Sequence, residues 1–148
     1  MKRMMNTLLS MLICTVLFST CFGATTVCAA PFGKIEIQLK DLNTAHSNKT
    51  GVTFKLYRVG TVLDSGEPVI DPVYGITEYP VTADETEQAV KKIKAALTGS
   101  AQASAATDAS GKAVLSGVAD GIYYIAADES NGYGIVEPLL VQIPYSVE

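Results

Sequence analysis

"DASGKAVLSGVADGIYYI", residues 108–125, consists of two short apolar runs set off by aspartate and glycine. Asp108 and Gly111 frame one turn, and Asp120 and Gly121 form a second. Glycine tolerates a positive φ and aspartate bonds its own backbone, so both are turn formers. The runs "KAVLSGV" and "IYYIAAD" are therefore expected to be strands joined by a tight Asp-Gly hairpin. Tyr123 and Tyr124 are neighbours on a strand of period two and must face opposite sides. One ring is expected in a core and the other at the surface.

Outward from this unit, "GKIEIQLKDLN" alternates, with Ile35, Ile37 and Leu39 on one face and Glu36, Gln38 and Lys40 on the other. "VTFKLYRVG" alternates in the same way through Val52, Phe54 and Leu56. Each is a half-buried strand, and the short polar stretch between them predicts an antiparallel pair. Between Thr61 and Pro80 the chain is rich in Gly and Pro, which argues against a helix and demotes any strand to a sheet edge.

The period then changes. Thr82 and Glu85 have capping-box spacing, and Val90, Ile93 and Leu97 form a narrow apolar stripe. This predicts a short amphipathic helix at about residues 84–98, lying on a sheet and ended by Gly99. "SAQASAATD" is small and polar and is expected to be a connector. "IVEPLLVQIP" supplies the last strand, with Leu139, Val141 and Ile143 on one face. Five to seven strands and one helix predict a mainly β fold, an antiparallel sandwich of immunoglobulin-like or prealbumin-like type with the helix inserted.

The N-terminal residues have a different character. Lys2 and Arg3 precede an apolar run from Leu8 through Phe18, and "VCAA" places Val27 and Ala29 at small-residue positions. This is the pattern of a secretory leader over residues 1–29, cleaved between Ala29 and Ala30. Cys14, Cys21 and Cys28 all lie within it, so the exported residues 30–148 hold neither disulfide nor thiolate. The chain has 11 basic and 15 acidic side chains, and losing Lys2 and Arg3 leaves a balance of −6. An acidic surface argues against nucleic acid, and against membrane once the leader is removed.

The order of segments resembles the N-terminal domains of sortase-assembled pilins of Gram-positive bacteria. It is also similar to the wider Cna B-type, prealbumin-like modules of their surface proteins. The likeness is carried by "GKIEIQLKD", "GVTFKLYRVG", "SGVADGIYYIAAD" and "EPLLVQIP", with a sheet-packed helix before the Asp-Gly turn. It implies a cell-surface or cell-wall structural subunit that supports adhesion, with other pilin subunits and a sortase as partners of a longer precursor. In such families a lysine amine attacks an asparagine carboxamide inside an apolar core, a protonated acid assists, and ammonia leaves. Burial is needed because the amine must be neutral.

Here the triad does not assemble on paper. Lys40 and Lys55 point away from their apolar faces. Glu36 or an apolar neighbour stands where the lysine is expected, and Ala127, one residue before Asp128, where the acid is expected. The last strand has no asparagine, and solvated outer lysines are the expectation. A sorting signal and a "YPK"-type motif are also missing, so the chain is expected to be a fragment of a longer precursor.

Other chemistry is sparse. His46, the single histidine, lies in a polar loop and is expected to be solvated. With one His and no exported Cys, the usual zinc sites are not available, and no G-x-S-x-G elbow surrounds a serine. Asp64, Glu67 and Asp71 match no calcium-loop spacing, and "NKT" at Asn48 fits a glycosylation sequon. No catalytic, cofactor or metal residue is assigned, and no enzyme activity is expected. The alternative reading is a secreted adhesin-type module whose 61–80 loop contacts host matrix or glycan.

Overall fold

The computed structural model describes residues 32–40, 48–128 and 132–144. The expected leader with its expected cleavage between Ala29 and Ala30, the three cysteines, His46 and Tyr145 lie outside the described residues. Seven strands and one α-helix follow in the order β1 (Gly33–Gln38), β2 (Thr53–Val62), β3 (Pro68–Ile70), α1 (Ala83–Ala96), β4 (Ala103–Ala106), β5 (Lys112–Val118), β6 (Gly121–Ala127) and β7 (Leu139–Ile143). A 3₁₀ turn, Pro72–Tyr74, sits between β3 and α1. Every strand pair described is antiparallel. The described residues form a mainly β sandwich carrying one short helix.

β1 pairs with β5 in a two-stranded sheet, while β3, β2, β6 and β7 form the larger sheet in that order, with β4 also on β2. Two expectations are corrected by this pairing. β1 and β2 are not a hairpin: they lie in opposite sheets. Their apolar faces then meet across the sandwich, whereas pairing in one sheet would turn both toward the same side. The Asp120–Gly121 turn is likewise no hairpin, because β5 and β6 belong to different sheets. Its glycine lies close against β2: a β-carbon on Gly121 would stand 3.2 Å from the Gly60 carbonyl oxygen.

β6 organises the interior. Its burial runs through Ile122, Tyr123, Tyr124 and Ile125, all at most 2% exposed. Tyr123 and Ile125 enter the inter-sheet core with Val52, Phe54, Leu56, Leu115 and Val118. Ile122 and Tyr124 enter a second core on the opposite face, with Val59, Ile70 and the helical Ile93. The expected surface tyrosine is therefore buried, because α1 covers the face it occupies. Tyr123 also satisfies its hydroxyl, donating to the Ala119 carbonyl at 2.8 Å. Burial holds both phenols above their ordinary pKa.

The helix reaches that face by interrupting a strand. β3 pairs with the end of β2, Gly60 opposite Ile70, and β4 with its beginning, Leu56 opposite Ala103. Asp71 N–H donates to the Val59 carbonyl at 2.9 Å, and Gln102 N–H to that of Leu56 at 2.8 Å. β3 and β4 are thus collinear halves of one edge, and residues 72–101 are an excursion from it. The edge can lie this close only because residue 60 is glycine: a β-carbon there would collide with the Val69 carbonyl and approach Ile70 Cα at 2.9 Å.

Local chemistry supports the excursion. Thr82 Oγ1 accepts from Glu85 N–H, and the Glu85 carboxylate accepts from Thr82 N–H, so the predicted capping box is present. The helix stops at Ala96, with extended Leu97 as its C-cap, earlier than the expected end at Gly99. Within 61–80 the strand is an edge strand as expected. The 3₁₀ turn was not expected; a proline at its N-terminus lacks the N–H that this position leaves unbonded. β4 was also unexpected, since "ASAA" carries no β-branched signal. Its course is fixed by β2 and by buried Thr107, whose hydroxyl accepts from Val52 N–H and donates to the Lys49 carbonyl.

Ile93 is fully buried, whereas Val73 is 72% exposed. Ile93→Ala should cost about 2–5 kcal/mol by leaving a cavity beside Tyr124. Val73→Ala should stay within about 0.5 kcal/mol. Urea unfolding followed by tyrosine fluorescence checks both.

Candidate functional site

The outer face of the larger sheet is only partly covered by α1. Beside the helix lies an open groove of about 540 Å³. Tyr124 and Ala126 from β6 form its floor, Lys94 of α1 one wall, and the 134–138 segment with Glu137 the other. The volume falls within the range of small-molecule sites. Its lining, however, combines one cation and two carboxylates with apolar and small residues, and includes neither histidine, cysteine nor serine. One of those carboxylates, Asp128, is held at 2.6 Å by the Lys55 ammonium from β2. That bond, with the negative charge behind it, raises the Lys55 pKa. A second recess of about 280 Å³ lies between α1 and residues 75–81.

The residues singled out for cross-linking stand apart from the core. Glu36 is outward on β1, bonded to Lys34 at 2.8 Å and Lys112 at 2.9 Å. The inward positions beside it are Ile35 and Ile37, packed on the inter-sheet core. Lys40 is exposed, and Lys55 lies on the outer face, as parity predicts. Ala127 turns inward against the core where an assisting acid would be required, and Asp128 turns outward to Lys55. Thr107 is the one polar side chain in the buried set of the described residues.

The remaining candidates are dispersed. Asp64, Glu67 and Asp71 are exposed along the turn and edge of β2 and β3. Among the described residues no group of three His, Cys, Asp or Glu side chains could hold a metal ion. Asn48 Oδ1 accepts from Thr50 N–H, which closes a local turn. Asp108 accepts from Ser110 Oγ, Ser110 N–H and Lys112 N–H. The Ser110 hydroxyl, then the Lys112 N–H, hold its carboxyl below the usual range. It serves the turn that the sequence predicted.

What sequence reading missed is the groove. Its signal was the pair Ala126 and Tyr124, a small and a large residue on one strand face, but only the position of α1 turns that step into a recess. Comparison with protein-family models, with curated proteins and with solved structures gave no match. Among the described residues no helix is long and apolar enough to cross a membrane.

Two measurements follow from this geometry. Lys34 first, then Lys112, lower the Glu36 pKa from 4.5 to about 2. A folded pKa below the unfolded one gives stability that is present above the unfolded value and lost as pH falls through the folded one. Glu36→Gln should therefore flatten the acid-side fall in stability between pH 4.5 and about 2, read by urea midpoints across that range. Separately, the intact mass of a protein made as residues 30–148 should equal that of the unmodified chain. A deficit of one ammonia, about 17 Da, would reveal a lysine–asparagine amide that the placement of these side chains disfavours.

Proposed function

We propose that residues 30–148 are the exported N-terminal domain of a structural subunit of a Gram-positive cell-surface pilus, or of a related surface protein, and serve adhesion through architecture rather than catalysis. One observation carries this reading. The four segments behind the resemblance become structural landmarks in the same order: "GKIEIQLKD" contains β1, "GVTFKLYRVG" covers most of β2, "SGVADGIYYIAAD" spans the β5–β6 corner, and "EPLLVQIP" contains β7. A sheet-packed helix precedes the Asp-Gly turn, which also fits the resemblance. Two separate cores on one sheet, with polar chemistry confined to the surface, suit a durable exported module that lacks disulfides.

The alternative, a ligand-contacting 61–80 loop, draws on Val73, which is 72% exposed. The structural reading is preferred because the first half of that segment is tied into β2, β3 and the 3₁₀ turn. Reading the gene beyond Glu148 tests the proposal. The frame should continue into a further domain and a sorting signal, with a sortase encoded nearby. A stop codon directly after Glu148, with no sortase in the neighbourhood, would overturn it.

A further inference from the structure

Strand pairing brings both ends of the described sandwich to one pole. β1 begins at Gly33, opposite Val118, the last residue of β5. β7 finishes at Ile143, opposite Gly121, the first residue of β6. Val118 and Gly121 flank the corner between the sheets, so Gly33 and Ile143 must meet beside it. A β-carbon on Gly33 would stand 3.6 Å from Ile143 Cγ2. The Asp108 turn and the start of β2 lie at the opposite pole, since Gln38 pairs with Lys112 and Phe54 with Ala127.

The first and last strands are also edge strands. Among the described residues β1 is paired with β5 alone and β7 with β6 alone. Ile35, Ile37, Val141 and Ile143 face the inter-sheet core but are only partly buried. Leu39, just beyond the far end of β1, is the buried anchor, at 7% exposure.

We infer that tension between the two chain ends peels β1 and β7 from their neighbours instead of shearing them. Separating Gly33 from Ile143 loads the Gly33–Val118 and Gly121–Ile143 pairs first, and each further pair bears load only after the last has opened. Shear would spread the load over all six β1–β5 pairs together. A single backbone hydrogen bond adds little net stability, so rupture one at a time needs little force. A domain of this topology is a side-mounted or end-mounted unit, and the main tension of a filament runs past it. That corollary rests on the proposed function, whereas the peeling geometry does not.

Single-molecule pulling separates the two geometries, using the full chain with Cys14, Cys21 and Cys28 changed to Ser. One variant carries handles at Phe32→Cys and Pro144→Cys, both exposed positions at the shared pole. The other carries them at Phe32→Cys and Ala109→Cys, an exposed turn position at the far pole. With matching urea midpoints in bulk, the first should rupture at a several-fold lower force at equal loading rate. Equal or higher force overturns the inference. If Ala109→Cys fails to fold, exposed Thr50→Cys gives the same far-pole attachment. A stop codon after Glu148 would remove the pilus reading and leave the rupture-force result standing.

Discussion

Burial of β6 on both faces is the constraint on which the rest of this structure depends. A strand whose Ile122, Tyr123, Tyr124 and Ile125 are all withdrawn from water needs a cover on each side. Fully burying an apolar side chain of this size stabilises by about 1.5–3 kcal/mol, so losing either cover would remove several such contributions at once. The two-stranded sheet supplies one cover and α1 the other. Because α1 has no strand of its own to follow, it arrives as an excursion from the β3–β4 edge. Glycine at 60 and the capping box at Thr82 are local conditions that let that excursion leave and turn.

The same arrangement accounts for the character of the surface. With apolar residues spent on two cores, charged groups are left to pair outside: Glu36 with Lys34 and Lys112, Lys55 with Asp128, Lys91 with Glu87. Such exposed pairs contribute little to stability in water. The groove beside α1 is where the helix stops covering the sheet, and its polar rim comes from three separate elements.

Mechanical behaviour is a separate matter from stability. Two cores and double coverage make the centre of the domain firm, yet its first and last strands are both edge strands. Firm at the centre and loosely held at one pole, the fold tolerates solvent exposure better than it would tolerate axial load. In a surface structure, this distinguishes where such a domain can sit from whether it can persist there.

Much was legible in the residues themselves. Alternation in "KIEIQL" and "TFKLYRV" fixed which side chains of β1 and β2 face a core, and parity placed Lys40, Lys55 and Glu36 outward. Capping chemistry at Thr82 and the stripe through Ile93 located the helix, and Asp108 with its hydrogen-bonded turn behaved as aspartate before glycine should. Pairing partners were not legible, because a strand's period declares its faces and not its neighbours. Whether β1 joins β2 or β5, whether Tyr124 meets water or Ile93, and whether "ASAA" is a strand are settled by contacts between distant segments. Local sequence determined the elements and their apolar sides. Tertiary packing decided the partners, since only the assembled molecule can bury both faces of one strand.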